Sequence, residues 1–124
     1  MIELLLIGLG GFIGAILRYA IGGWVQTSFP DFPAGTLAVN LIGSYLISVI
    51  MFGVEDRNLF TPNWRIFLAI GLMGSFTTMS TFNFETFKLA QNGQFIYAGL
   101  NIIANVFLGL FAIYLGRVTI LAVR

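Results

Sequence analysis

Gly71-Leu-Met-Gly-Ser-Phe-Thr-Thr-Met-Ser-Thr-Phe82 is a polar, charge-free run inside an otherwise apolar stretch. It holds two glycines, two serines and three threonines. Arg65 and Glu85 bound the charge-free stretch 66–84 around it, so the run sits mid-span. Glycine costs about 1 kcal/mol in a helix interior, and Ser and Thr offer the backbone competing hydrogen bonds. In hydrocarbon an unwound backbone survives only where protein or a water-filled cavity satisfies it. One glycine or serine reads as a small-residue packing face. This density predicts a helix broken near the membrane midplane, where transporters place ion sites.

Three further charge-free stretches lie outside it. Glu3 and Arg18 enclose 4–17, Asp31 and Glu55 enclose 32–54, and Lys88 and Arg117 enclose 89–116. A span needs roughly 17–25 apolar residues. The first stretch reaches that length only by including Arg18, either within the membrane or snorkelling at its edge. The pattern predicts an all-α membrane protein of four transmembrane helices, with residues 1–124 as one transmembrane domain. The helices are expected at about 3–25, 34–53, 62–90 and 94–121. Two prolines end the first, Thr61-Pro62 caps the third, and Asn92-Gly93 turns the chain into the fourth.

The composition agrees with a membrane setting. Of 124 residues 58% are hydrophobic and 9% charged, where a soluble domain carries about 25% charged. The net charge of +1 gives no electrostatic footprint for nucleic acid. Without cysteine or histidine there is no disulfide, thiol chemistry, Cys/His metal site or histidine relay. The first segment lacks a basic n-region and resembles the other three, which argues against a cleaved leader. Orientation is weakly biased. Arg57, Arg65, Arg117 and Arg124 fall on one side and Arg18 and Lys88 on the other. With Arg18 and Arg117 counted as embedded, the balance leans towards both termini inside.

The embedded polar groups are amides, hydroxyls, aromatic rings and one guanidinium. Thr36, Asn40, Gly43 and Ser44 recur at helical spacing on the second helix, and Asn101 and Asn105 lie one turn apart on the fourth. Each amide serves either an interhelical hydrogen bond or a pore. Gly10 and Gly14 form a Gly-x-x-x-Gly pattern that reads as a packing contact. Glu85 is the one acid near a span, whereas cation pathways carry acidic side chains. Amide N–H, hydroxyl and guanidinium groups donate, and phenyl edges carry partial positive charge. This inventory suits a small, strongly hydrated anion without identifying it.

At these residues the sequence resembles the Fluc (CrcB) fluoride channels. The motifs are Gly11-Phe-Ile-Gly-Ala-Ile-Leu-Arg-Tyr19, Gly35-Thr-Leu-Ala-Val-Asn-Leu-Ile-Gly-Ser44 and Gly74-Ser-Phe-Thr-Thr-Met-Ser-Thr-Phe-Asn-Phe-Glu85. The resemblance implies a multi-pass protein of the cell (inner) membrane, assembled as an antiparallel dual-topology homodimer with two fluoride pores. It implies a passive fluoride channel giving fluoride resistance, and no enzymatic activity. It also implies a structural sodium ion at the dimer centre, held by the backbone carbonyls of Gly74 and Thr77. Asn40 matches the pore asparagine and Phe82 the second of two pore phenylalanines. Ser80, Thr81 and Glu85 match polar groups that continue the pore, Thr36 a vestibule threonine, and Arg18 the arginine of the first helix. Met79 stands where the family has its first pore phenylalanine, and Gly109 where some members have a serine. The alternative of similar size is a proton-coupled multidrug exporter, which needs an acid deep in the first helix. Glu3 lies at that helix's end.

Overall fold

The computed structural model describes residues 1–123, in which every regular element is a helix. Arg124, counted above in the charge balance, lies outside the described residues. We label the helices α1 (Ile2–Gln26), α2 (Ala34–Arg57), α3 (62–76), α4 (Met79–Gln91) and α5 (Phe95–Ala122). Among the described residues four segments are long and apolar enough to cross a membrane: α1, α2, Pro62–Gln91 and α5. The third contains both α3 and α4.

Local chemistry sets the ends. Gln26 organises the proline-containing loop after α1. Its Nε2 donates to Phe29 O (2.7 Å) and Phe32 O (2.8 Å), and its Oε1 accepts from Gly35 N (3.0 Å). One side chain thereby satisfies two loop carbonyls and an orphan N–H at the start of α2. The sequence pattern ended the second helix near Gly53, but α2 runs on through Glu55 and Asp56 to Arg57. Charged residues cost little in an exposed last turn, and Arg57 Nη2 donates to Leu121 O at the end of α5 (2.9 Å). Asn58 then closes α2 in the left-handed region (φ 52°), with Leu59 N bonded to Gly53 O (2.9 Å).

Thr61 caps α3, its Oγ1 accepting from Trp64 N. Beyond Arg65 the helix widens to i→i+5 hydrogen bonding over Ile66–Met73, then makes a last turn, Gly74–Phe76. Thr77 (ψ 156°) and Thr78 (φ −146°, ψ 120°) are extended, and α4 restarts at Met79. Gly93 (φ 78°) makes the turn into α5, which widens in the same way over Ala104–Leu108. Wide turns of this kind are rare and cluster at functional sites.

The helices meet through small residues. A Cβ on Gly10 would stand 2.5 Å from Phe67 O, and one on Gly14 would overlap Leu72 O. The α1 backbone therefore lies directly on the widened part of α3. On the other side Gly116 of α5 packs on Ser48 of α2, where a Cβ would meet Ser48 Oγ at 2.6 Å. The core between these seams is small: Val39, Ile50, Ala69, Met73 and Phe76. Asn101, Ser48 and Thr36 are buried polar side chains, while Leu5, Leu9, Phe12, Phe107 and Phe111 face outward. Polar groups inside and apolar groups outside is the arrangement a lipid solvent requires.

Gly14→Ala is expected to drive its Cβ into the Leu72 carbonyl and cost about 1–3 kcal/mol, as overpacking does. Gly8→Ala, with nothing within 4 Å of the added atom, is the control. A lower melting temperature of the detergent-solubilised protein for the first variant alone is the expected result.

Candidate functional site

The gap between α3 and α4 is closed by a side chain of α2. Thr78 N donates to Asn40 Oδ1 (2.9 Å), and Asn40 Nδ2 donates back to Thr78 O (3.1 Å). The carboxamide thus pairs with both polar groups of one extended residue. The remaining groups are met piecemeal. Arg18 Nε of α1 donates to Ser75 O (3.1 Å), Ser75 Oγ to Gly11 O (2.7 Å), and Thr77 Oγ1 to Met73 O (3.0 Å). The close seat of Gly10 and Gly14 on α3 is what brings Arg18 within reach of Ser75.

Gly74 O and Thr77 O are among the carbonyls that lose their helical donors at the gap. Thr78 N is taken by Asn40, so Gly74 O does not receive the bond an unbroken helix would supply. Thr81 N is taken by Thr78 Oγ1 (3.2 Å), so Thr77 O does not either. Gly74 is exposed, and a Cβ there would meet only Ala69 O, at 3.9 Å. Among the described residues there is no cluster of His, Cys, Asp or Glu suited to a metal.

Two cavities flank the gap, and Thr78 lines both. The first, about 480 Å³, is walled by Arg18, Gly22, Thr36, Thr81 and Glu85. Thr36 Oγ1 donates to Glu85 Oε1 (2.9 Å), while Glu85 Oε2 is buried without a partner. The second, about 300 Å³, is walled by Asn40, Ser44, Met79, Phe82 and Asn105. Phe82 is 7% exposed and presents its ring as a fixed wall, whereas Met79 is 70% exposed. Asn40 Nδ2 also donates to Asn105 Oδ1 (3.0 Å).

The structure thus brings together Arg18, Thr36, Thr81 and Glu85 at one cavity and Asn40, Met79 and Phe82 at the other. Ser80 lines neither and is exposed, its Oγ 3.4 Å from Thr78 Oγ1. Gly109 lies beside Ser44 but outside both cavities. Thr36 and Asn40 share a helix face in sequence, yet they serve different cavities. Sequence reasoning passed over Thr78, Gln26 and Thr86. For Thr78 a signal existed: a Thr three residues before Thr81 is a helix N-cap pattern. The walls offer hydroxyl and guanidinium donors and aromatic edge, a set that replaces the water shell of an anion, while the amides of Asn40 and Asn105 are engaged with the protein.

The sequence profile of a family described as CrcB-like protein, Camphor Resistance (CrcB), matches residues 5–117. A Methanosarcina acetivorans protein named fluoride-specific ion channel FluC 1 is 49% identical over 121 residues, covering 98% of this chain and 92% of that protein. A Methanocaldococcus jannaschii protein named fluoride-specific ion channel FluC is 47% identical, covering 98% and 96%. One of the same name from Oceanobacillus iheyensis is 41% identical, covering 94% and 89%.

Asn40→Leu keeps the volume and orphans both polar groups of Thr78. Each buried orphan costs about 1–3 kcal/mol. A marked loss of thermal stability in detergent is expected, and an unchanged melting temperature would show that water or another side chain takes the place of the amide.

Proposed function

The chain belongs to the CrcB-like family, and on that footing we propose that it is a fluoride-selective ion channel, through which cytoplasmic fluoride leaves passively down its electrochemical gradient. One observation carries the reading. Thr78, held at the helix gap by Asn40, is shared by a cavity walled by Arg18, Thr36 and Glu85 and a cavity walled by Phe82. A small anion crossing between them exchanges water for hydroxyl, guanidinium and ring-edge contacts. Arg18 favours its entry. A membrane potential that is negative inside drives it outward by about 2.3 kcal/mol per 100 mV. Fluoride that enters as neutral HF and ionises inside is thereby released, which gives fluoride resistance.

Met79, Ser80 and Gly74 are exposed on a single chain. A second copy covering this stripe would close the Phe82 cavity, which supports an antiparallel homodimer with the helix gap near the midplane. The weak charge bias is compatible with insertion in both orientations. The carbonyls of Gly74 and Thr77, freed from the helical ladder, fit a sodium ion, since unwound backbone oxygens hold such ions in membrane proteins. When bound, the ion supplies a fixed positive charge at the dimer centre. Gly74 and Thr77 would hold it there, with Asn40 keeping Gly74 O available by taking Thr78 N and Thr78 Oγ1 keeping Thr77 O available by taking Thr81 N. The expected setting is the cell (inner) membrane.

A proton-coupled multidrug exporter does not fit. Its acid would have to lie deep in α1, and Glu3 is exposed at the helix start, bonded to the terminal amine (3.2 Å).

Liposomes holding the purified protein are expected to release fluoride rapidly and retain chloride, as read with ion-selective electrodes. Equal release of both would defeat the selectivity. Phe82→Ile is expected to slow fluoride by at least about tenfold with the oligomer intact, the rate equivalent of an aromatic contact worth about 1.4 kcal/mol. Asn40→Asp, which puts a carboxylate beside the route, is expected to stop it.

A further inference from the structure

Asn40 does not stand alone. A single directed hydrogen-bond chain leaves Thr78 and returns to the same helix at Phe82. Thr78 N donates to Asn40 Oδ1 (2.9 Å), and Asn40 Nδ2 to Asn105 Oδ1 (3.0 Å). Asn105 Nδ2 donates to Asn101 Oδ1 (3.0 Å), and Asn101 Nδ2 to Thr86 Oγ1 (2.9 Å). Thr86 Oγ1 donates to Phe82 O (2.8 Å). Asn101 is fully buried, and the wide turn of α5 contains Asn105.

Backbone groups at Thr78, Asn101 and Phe82 fix the sense of every link. A backbone N–H only donates and a backbone carbonyl only accepts. A carboxamide presents an acceptor on one side and a donor on the other, so each of the three amides has one orientation that serves both neighbours. A reversed Asn101 would face Asn105 with donor against donor, and a reversed Asn105 would do the same to Asn40. Each reversal leaves a buried polar atom unpaired, and a low-dielectric surrounding makes that costly.

We propose that Thr86, Asn101 and Asn105 are positioning residues that brace the amide of Asn40 against Thr78, and so hold the wall of the cavity beside Phe82 in place. The inference rests on the channel reading above. Thr86 anchors the far end: its hydroxyl accepts from the Asn101 amide and donates to the Phe82 carbonyl. Without it, the buried Asn101 Nδ2 is unpaired, and Asn101 turns to recover a partner at the expense of its bond to Asn105, which is then held only through Asn101 O. Asn40, with one N–H on Thr78 O and the other on Asn105 Oδ1, then loses its brace on α5 and no longer holds Thr78 at a fixed place beside the cavity. Thr86 and Asn101 line neither cavity, so this effect reaches the ion only through the chain.

The test is fluoride efflux from liposomes for the wild type, Thr86→Val and Thr86→Ser, each checked for oligomer size by gel filtration. Valine keeps the shape and removes the hydroxyl, while serine keeps the hydroxyl. Thr86→Val is expected to slow fluoride at least about fivefold, the effect of one net hydrogen bond, with Thr86→Ser restoring the rate to within about twofold. Asn101→Val combined with Thr86→Val is expected to be no slower than the slower single variant, because both cut one chain. Wild-type rates for Thr86→Val, equal slowing by valine and serine, or multiplying effects in the double variant would each overturn the relay while leaving the channel intact. Wild-type liposomes that release no fluoride would instead overturn the channel reading and the relay with it. Where Asn101→Val fails to fold, the valine–serine pair at Thr86 decides alone.

Discussion

A peptide that leaves helical geometry inside hydrocarbon must still have its N–H and C=O groups bonded, since water is not there to take them. The rest of this structure depends on how that constraint is met at Thr77 and Thr78. The amide of Asn40 supplies one donor and one acceptor to Thr78. Arg18 supplies a donor to Ser75 O, and Thr78 Oγ1 caps the restarted helix at Thr81 N. Each of these partners comes with a structural demand. Asn40 must lie against the gap, so α2 carries Gly43 where a Cβ would run into Thr77. Arg18 must reach across from α1, so Gly10 and Gly14 let the two backbones touch.

The same groups that satisfy the gap line the cavities beside it. A site built from satisfied hydrogen bonds is rigid, and its donors point where their partners leave them pointing. Thr36 and Glu85 are locked to each other on one side. Phe82 is walled in on the other by the chain that runs from Asn40 through Asn105 and Asn101 to Thr86. Small shifts of α5 therefore act on Asn40 directly, and the widened turn at Ala104–Leu108 is placed where α5 contributes Asn105.

Much of this was legible in the chain. Charge-free stretches located the four spans, Thr61-Pro62 the start of α3, and Asn92-Gly93 the turn before α5. The Gly/Ser/Thr density at 71–82 marked the segment in which Thr77 and Thr78 are extended. Gly10 and Gly14 read correctly as packing. Less legible were residues whose role depends on reach across the fold. Gln26 looks like an ordinary loop glutamine until it ties Phe29, Phe32 and Gly35 together. Thr86 looks like a helix-surface threonine until Asn101 donates to it. Helical spacing grouped Thr36 with Asn40, yet insertion of the gap beside α2 assigns them to different cavities.

The sequence by itself determined what the chain is made for: four apolar spans, few charges, and donors without embedded acids apart from Glu85. Those properties are local, because hydropathy and helical punctuation act over one or two turns. Tertiary structure alone decided which donor faces which acceptor. Asn40 could have been free to bind an ion with both its N–H groups. Instead both are engaged, one by Thr78 O and one by Asn105 Oδ1. A side chain's free valences depend on neighbours distant in sequence, and those neighbours are fixed only when the helices pack.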